Sequence, residues 1–354
     1  MFVVRGTSTW SLCRHSYDSK WPVLRGYSTK SYDPLRILFC GSDDFSIASL
    51  RALHAYHLKQ PSRIASIDVV CRPGKRVGRG LKKIREVPIK EVASALSLPI
   101  HEIDTFTGFR GPAPLHHTLL AGRTTTGVTL QTLHHKNFDH GIIISQTPPP
   151  GFDIPNPESC TVPQLLDLVA PKGAQLLVDG IKNGLFVPPL RDAGWSSHES
   201  ENPLIHAAKI KPEDRHVDWA NWTLMDFNRC NRVLGSLWSK ALVSTNHADG
   251  NPSFQQKRVI LTDIEEVDPP KGSEIFSVVP GLPFVNAPRP VEPKKNRALY
   301  VFTRDSKVLR VNQMKVEGEP VAEGLRAAIK ARMFGDQSFR SGGAEFTTFR
   351  NPLT

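Results

Sequence analysis

The stretch Leu35-Arg36-Ile37-Leu38-Phe39-Cys40-Gly41-Ser42-Asp43-Asp44 decides the fold of the first half of the chain. Residues 35–40 form a short, largely apolar run, which is typical of a buried strand, and Gly41 marks a tight turn. Residues 42–44 supply an N-cap and first-turn acids for a helix over about 45–57. The stretch therefore predicts a strand, a turn and a helix in immediate succession.

The same alternation continues along the chain. Residues 64–71 predict a second strand and residues 88–96 a helix, and residues 126–133 and 163–181 repeat this order. Strands that alternate with helices form parallel sheets, whose ligands lie at the carboxyl ends of the strands. We therefore expect an α/β domain of the Rossmann-like kind over residues 34–187. No G-x-G-x-x-G follows the first strand, which argues against a dinucleotide site.

The C-terminal third has a different pattern. Residues 188–216 show no clear period and are predicted to be a linker. The domain that follows, 217–354, contains short β-rich runs separated by loops dense in proline, at 259–261, 275–279, 298–303 and 308–316. This pattern predicts a small antiparallel β-barrel or sandwich.

Composition limits the function classes. The 354 residues are 39% hydrophobic, with a formal net charge of +11 and a sequence pI near 9.5. No run approaches the ~18 to 20 apolar residues of a spanning helix, which excludes an integral membrane protein. Five cysteines without a C-x-x-C pair exclude a disulfide scaffold and a cysteine zinc site, and they favour a reducing compartment. The basic balance favours an anionic partner, although a solvated basic surface is the alternative.

The first 27 residues form a segment of their own. Residues 1–27 contain four basic residues, one acid and several serines, which is typical of an organellar transit peptide. Residues 25–27 ahead of Ser28 resemble a matrix-protease cleavage site. A disordered basic tail is the alternative.

Most of the remaining charge lies in one segment, residues 72–85. It follows a predicted strand and has seven basic residues, three glycines and no acid. Segment 1–27 contributes +3 and segment 72–85 contributes +7, so the rest of the chain sums to +1. The glycines predict a pliable loop, and its cations could neutralise several phosphates with release of counterions. A solvated loop is the alternative. The side chains predicted to contact phosphates are Lys75, Arg76, Arg79, Lys82, Lys83 and Arg85.

A second segment combines a strand with a carboxylate. Residues 127–133 are β-rich, and Asp139 follows in a turn that ends at Gly141. A carboxylate placed there is a candidate active-site acid, although Asp beside Gly is often only a turn former. The histidine pairs 116–117 and 134–135 lack a third partner at useful spacing, so we do not predict that they bind a metal.

Taken together, five segments resemble the methionyl-tRNA formyltransferase family. They are the opening strand and turn, the basic loop, an R-G-x-A-P segment, a formyltetrahydrofolate signature one residue longer than the usual bacterial form, and the junction to an OB-like domain. In the same order they are residues 35–53, 72–85, 110–115, 127–141 and 209–219. The resemblance thins after about residue 235.

The resemblance implies a function. The family transfers a formyl group from 10-formyltetrahydrofolate to the amino group of methionyl-tRNA and uses no metal. It implies that Gly127, Thr129 and Gly141 contact the folate, that Asp139 is catalytic, and that the basic loop holds the acceptor arm of initiator tRNA. With the transit peptide, the resemblance points to a mitochondrial matrix enzyme of the fungal type that acts as a monomer and does not bind membranes.

One departure from the family pattern affects the chemistry. The family's catalytic Asn and His lie in an N-x-H-P-S-x-L-P motif at the end of a buried strand, just before R-G-x-A-P. Here residues 103–109 pass directly into Arg110, and only Asp139 has a counterpart. No β-rich run occurs between residues 103 and 127, where the alternation requires a strand. The sequence therefore predicts that one central strand and two catalytic groups are absent.

Three interpretations follow. The first is a formyltransferase, weakened by this loss or read from a mis-spliced or mis-predicted gene. The second is a catalytically silent protein that binds tRNA or folate. The third is another formyltetrahydrofolate enzyme that acts on a purine precursor or a sugar nucleotide, but such an enzyme needs neither the basic loop nor the C-terminal barrel.

Overall fold

The computed structural model forms two compact units, Met1–Lys209 and Ile210–Thr354, which are described separately. The residues that it describes are 2–5, 32–103, 113–134, 141–194, 207–246, 252–270, 279–285 and 298–333. Within these ranges, no helix has both the length and the apolar character needed to cross a membrane.

The first unit alternates strands and helices. Its strands are β1 (Phe2–Arg5), β2 (Leu35–Cys40), β3 (Ile64–Cys71), β4 (Lys75–Val77), β5 (Lys83–Arg85), β6 (Ile100–Glu102), β7 (Thr125–Gln131), β8 (Ile143–Gln146) and β9 (Phe152–Asp153). Its helices are α1 (Asp44–Lys59), α2 (Pro88–Ala95), α3 (Pro114–Leu120) and α4 (Val162–Lys182).

The opening strand, turn and helix form as predicted. Asp43 is the N-cap of α1: its carboxylate accepts a hydrogen bond from the Ser46 N–H at 2.9 Å, and the Asp43 N–H donates to Ser46 Oγ at 3.0 Å. This reciprocal pair satisfies backbone donors that a helix start leaves open. Gly41 is required at the turn, since an added Cβ would lie 2.6 Å from the Cβ of Ser46.

A parallel sheet follows from the alternation, in the order β2-β3-β6. One face packs against α1, α2 and α4 around a buried apolar core. That core includes Leu50, Leu53, Ile64, Ile67, Val69, Ile89, Ala93 and Val178. The α/β class predicted from the sequence is therefore confirmed.

The burial predicted for β2 is wrong. Its side chains alternate between half-buried and exposed, and Leu38 is 64% exposed. Among the described residues β2 is paired only with β3, whereas β7 belongs to a separate antiparallel ladder with β1, β8 and β9. Parallel sheets are normally covered on both faces. Leu38 lies on the face of β2 that the described residues leave uncovered.

The second unit contains an antiparallel sheet, which agrees with the predicted β-rich character, and two helices that were not predicted. Its elements are α5 (Leu224–Leu234), β10 (Leu237–Asn246), β11 (Pro252–Val267), β12 (Pro283–Val285), β13 (Leu299–Phe302), β14 (Val308–Val316), β15 (Ala322–Glu323) and α6 (Gly324–Lys330). The ladder runs β10-β11-β14-β13-β12, with β15 beside β14, and its described end strands are not paired with one another. Register shifts between Leu261 and Ile264 mark an irregularity where β11 pairs with β14. Most of the strand predicted at 275–279 lies outside the described residues.

A buried core of aromatic and aliphatic side chains packs against this sheet and stabilises it. Trp219 is buried, lies 5.8 Å from the Phe227 ring between centroids, and donates its indole N–H to Ser239 Oγ at 3.2 Å. The hydroxyl satisfies the one polar atom of a large apolar side chain. The fully buried side chains around this pair include Leu237, Leu261, Leu299 and Met314.

Candidate functional site

Strand β7 carries two of the predicted folate-contacting residues, Gly127 and Thr129. Thr129 is only 1% exposed, so its side chain lies in the interior of the unit. The Val128 N–H donates to Thr147 Oγ1 at 3.0 Å, and the Val128 carbonyl accepts from the Thr147 N–H at 2.9 Å. These contacts fix the backbone of β7. The backbone N–H and C=O groups of alternate residues point to opposite edges of the strand.

The third predicted residue, Gly141, closes a loop. The Thr132 N–H donates to the Ile142 carbonyl at 2.9 Å, and the Ile142 N–H donates to Thr132 Oγ1 at 2.8 Å. We call these two bonds the Thr132 clamp. A Cβ on Gly141 would lie 1.7 Å from the Thr132 carbonyl oxygen, so only glycine fits. The clamp holds together the ends of the segment that contains Asp139, which itself lies outside the described residues.

Two polar side chains on β7 and β8 were not predicted as site residues. Gln146 on β8 is directly opposite Thr129, and among the described residues its buried Oε1 atom has no hydrogen-bond partner. The Thr126 hydroxyl is also buried and lacks a partner within the described part of the chain. An unsatisfied buried polar group is costly, so such groups often mark a ligand site. A polar residue ending an otherwise apolar run, 142–146, was the available signal for Gln146.

The basic segment is a hairpin, which corrects the prediction of a pliable loop. Strands β4 and β5 pair with Lys75 opposite Arg85, Arg76 opposite Ile84 and Val77 opposite Lys83. The sequence did not indicate these strands, because so short and basic a segment has no alternation of apolar and polar residues. The antiparallel ladder fixes the spacing of the cations instead of leaving them on a flexible chain.

Glycines shape the tip of this hairpin. Gly78 and Gly80 have φ values of 84° and 78°, in the region that glycine adopts without strain. A short 3₁₀ turn over Arg79–Leu81 lies between the strands, and the Leu81 N–H donates to the Gly78 carbonyl at 3.1 Å. This turn presents Arg79 at the tip.

All six cations predicted to contact phosphates are exposed. They are Lys75, Arg76, Arg79, Lys82, Lys83 and Arg85. Among the residues that the structure describes, none of the six forms an ion pair, since the described ion pairs involve other basic residues. Leu81 and Ile84 lie among them and are 57% and 61% exposed. The hairpin is therefore a cationic surface with unneutralised charge.

The histidines and cysteines have other surroundings. The His117 ring nitrogen Nε2 lies 2.8 Å from the Ala208 carbonyl oxygen, and His135 lies outside the described residues. No group of three or more His, Cys, Asp or Glu side chains that could hold a metal occurs in the described ranges. Burial raises the pKa of the Cys71 thiol, which keeps it protonated and poorly nucleophilic.

The second unit has a polar cluster near its start. The rings of His216 and Trp238 lie 4.4 Å apart, and the Arg258 guanidinium lies 4.2 Å from the centre of the Trp238 ring. His216 Nε2 is buried, and no residue of the described ranges forms a hydrogen bond with it. Burial, followed by the charge of Lys240, lowers the pKa of His216, with a smaller lowering by Arg258 and an opposing effect of Asp218. His216 is therefore held in its neutral form.

Comparisons with known proteins find similar sequences. No family model matches the chain. It is 27% identical over 272 residues to the mitochondrial methionyl-tRNA formyltransferase of Bos taurus, which is 66% of this chain and 65% of that protein. The human mitochondrial enzyme is 27% identical over 255 residues, 61% of each chain. The Saccharomyces cerevisiae mitochondrial enzyme is 26% identical over 301 residues, 64% of this chain and 72% of that protein.

These matches are partial. The chain spans just under two thirds of the length of the bovine and human relatives. Among solved structures, a variant of HypX from Aquifex aeolicus is 16% identical with a TM-score of 0.38, and the match covers 84% of this chain and 47% of that one. This likeness is too weak to define the fold.

Proposed function

Because the chain is a homologue of the methionyl-tRNA formyltransferases, we propose that it transfers a formyl group from 10-formyltetrahydrofolate to the amino group of methionyl-tRNA. The reaction would serve the initiation of translation in the mitochondrial matrix, since the relatives named above are mitochondrial enzymes. The observation that carries the proposal is the exposed cationic hairpin of β4 and β5, on the same unit as the polar interior beside β7.

The hairpin is proposed to bind the tRNA. Lys75 and Arg85 are directly opposite one another, and no carboxylate of the described residues neutralises them. Phosphates would neutralise such cations and release counterions, which gives affinity without sequence specificity. A small-molecule acceptor would not need this surface, so an acceptor such as a purine precursor or a sugar nucleotide is disfavoured.

The strand β7 is proposed to bind the folate. Gly127, Thr129 and Gly141 are the folate contacts that the family resemblance implies. Gln146 Oε1, opposite Thr129 and buried without a partner among the described residues, could accept a hydrogen bond from the folate. Folate would supply the formyl group as a substrate. These residues would orient it and exclude water, which is how binding groups lower the barrier of a group transfer.

Asp139 is proposed to orient and charge-balance a catalytic histidine, which is the role that the family resemblance implies for it. The neutral amine of the aminoacyl group attacks the formyl carbon, and negative charge develops on the formyl oxygen. The adduct then collapses with cleavage of the bond between the formyl carbon and N10 of the folate. The amine nitrogen loses a proton and N10 gains one, which releases tetrahydrofolate. The family resemblance implies that an Asn and a His complete the site, and no N-x-H-P motif precedes Arg110 in this sequence. Loss of one donor to a developing oxyanion costs about 10² to 10³ in rate. We therefore propose that this chain is a slow formyltransferase.

A catalytically silent binding protein is the second candidate. The predicted loss of the Asn and His favours it, and the exposure of Leu38 on the second face of β2 supports the predicted loss of a neighbouring element. It would keep the hairpin and bind tRNA without turnover.

A formylation assay distinguishes the two candidates. The full chain would be incubated with charged initiator tRNA and 10-formyltetrahydrofolate, with D139N as the matched variant. We expect formyl-methionyl-tRNA to form slowly and to disappear in D139N while tRNA binding persists. Binding without any product in the unmodified chain would overturn the enzymatic proposal and leave the silent binder.

The missing motif has its own test. We propose that the junction at Phe109 and Arg110 arises from a mis-spliced or mis-predicted message. Sequencing the mature transcript across codons 109 and 110 should reveal an inserted strand with its Asn and His. A message that passes directly from codon 109 to codon 110 would contradict this explanation.

A further inference from the structure

Strand β1 lies against the strand that carries Gly127 and Thr129. The two strands are antiparallel, with Phe2 opposite Leu130, Val3 opposite Thr129, Val4 opposite Val128 and Arg5 opposite Gly127. Within the described residues β1 has no other strand partner, and it lies at the end of the β1-β7-β8 ladder.

The bonds that β7 makes on the edge away from β1 show which of its residues point their backbone N–H and C=O groups toward β1. Both backbone polar groups of Val128 are bonded to Thr147, so they point away from β1. The groups of the flanking residues, Gly127 and Thr129, therefore point toward β1, because alternate residues of a strand face opposite edges. Val3 and Arg5 are their direct partners.

Thr129 is buried, so its backbone groups need a partner. A buried N–H or C=O without one costs about 1 to 3 kcal/mol. In this structure the first residues of the chain supply that partner, across a connection that spans residues 6–31. The pairing involves only four residues and lies at the end of the ladder, so it can open locally without unfolding β7.

We propose that the edge of β7 facing Gly127 and Thr129 is a strand-binding surface, and that the N-terminal strand β1 is its intramolecular latch. The latch satisfies the open edge of β7 while residues 1–5 are attached to the chain. Removal of the N-terminal segment, for example at the cleavage site predicted ahead of Ser28, would open that edge. The latch itself does not rest on the proposed function.

Proline substitutions test the register directly. Proline removes a backbone N–H, so V3P should remove a ladder bond, whereas the Val4 N–H points away from β7 and V4P should be tolerated. Hydrogen exchange of the full chain would be measured at single amides. In V3P we expect the Gly127 and Thr129 amides to exchange about tenfold faster, which corresponds to the loss of roughly one hydrogen bond. In V4P we expect both amides to exchange at the unmodified rate.

Two further readouts keep the test decisive. The amides of β14, in the second unit, should be unchanged in both variants, which reports on folding. Trypsin should cut after Arg5 faster in V3P than in V4P, since a residue in a paired strand is protected. Equal exchange at Gly127 and Thr129 in V3P and the unmodified chain would overturn the latch, and equal loss in V3P and V4P would overturn the register. Neither readout depends on formyl transfer.

Discussion

Lys75 lies directly opposite Arg85 in the hairpin of β4 and β5. Directly opposed side chains in an antiparallel pair lie about 4.5 to 5.5 Å apart at Cβ, and like charges at this distance are destabilising. The protein therefore maintains a repulsive arrangement that a bound polyanion would convert into an attractive one.

Charge reversal at Arg85 should change the stability of the hairpin and its affinity for tRNA in opposite directions. R85E places a carboxylate opposite Lys75, which should stabilise the hairpin by about 0.2 to 1 kcal/mol. Binding to initiator tRNA should weaken, with the slope of log K against log salt reduced by about 1. K59E, at an exposed end of α1, has the same change in net charge and should alter binding far less. An equal loss in the two variants would show that only net charge matters.

Neutralising the tip of the hairpin should affect binding through the same electrostatics. The double variant K82A/K83A removes two exposed cations. Its tRNA affinity should fall, and the salt slope should flatten by up to about 2, one for each lost phosphate contact. Titrations between 50 and 200 mM salt, which is roughly the range where such slopes are measured, check this. An unchanged slope would count against a role for Lys82 and Lys83.

The Thr132 clamp should be sensitive to a single methyl group. In G141A the new Cβ would meet the Thr132 carbonyl oxygen at 1.7 Å, so the backbone must move. We expect a loss of about 1 to 3 kcal/mol in the free energy of unfolding, and a loss of formyl transfer, because the segment with Asp139 is displaced. The matched variant G127A meets a side-chain carbon of Thr147 at 3.3 Å and should be milder. Denaturant unfolding of both variants measures the difference. Equal destabilisation would contradict the close approach at Gly141.

Because Leu38 on β2 is exposed, a polar substitution there should have little effect on the free energy of unfolding, which is unusual for a strand of a Rossmann-like sheet. L38Q should change the free energy of unfolding by less than about 0.5 kcal/mol, as at an ordinary surface site. I67A, on the buried face of the neighbouring strand, should cost about 2 to 5 kcal/mol. Urea unfolding of the two variants provides the comparison. A large cost for L38Q would show that another element packs on β2 in solution.

His216 should make the stability of the second unit depend on pH. Its pKa is lowered in the folded state by burial and then by Lys240, so the unfolded chain binds the proton more tightly. The contribution of His216 to stability is therefore complete above the unfolded pKa of about 6.5. It is lost as the pH falls from there toward the lower folded pKa. Thermal unfolding between roughly pH 5 and 8 should show this loss in the unmodified chain, and H216Q should weaken it. A pH profile unchanged by H216Q would assign the dependence to other groups.

Local signals were enough to predict several elements. Capping residues and apolar periodicity predict helices α1 and α4, and a run rich in β-branched residues predicts β14. Helix α5 was missed, although Thr223 and Asp226 form a capping box at its start. That signature, a threonine with an acid three residues later, was present in the sequence.

Features that depend on distant pairing were not predictable in the same way. Seven cations and three glycines indicate a loop, and only the register of Lys75 with Arg85 shows a hairpin. The exposure of Leu38 depends on which strands flank β2. The unpartnered Gln146 depends on what lies across β7. The assignment of Asp139 stays a prediction, since that residue lies outside the described part of the chain.

The Thr132 clamp has a consequence for how the chain can vary. Because the two bonds between Thr132 and Ile142 fix both ends of the intervening segment, its length is uncoupled from the pairing of β7 with β8. A residue can be gained or lost between them without shifting the register of Thr129 with Gln146. A signature one residue longer, as the sequence predicts for this segment, would thus be accommodated by the same sheet, and the clamp separates the pairing of β7 and β8 from the length of the segment between them.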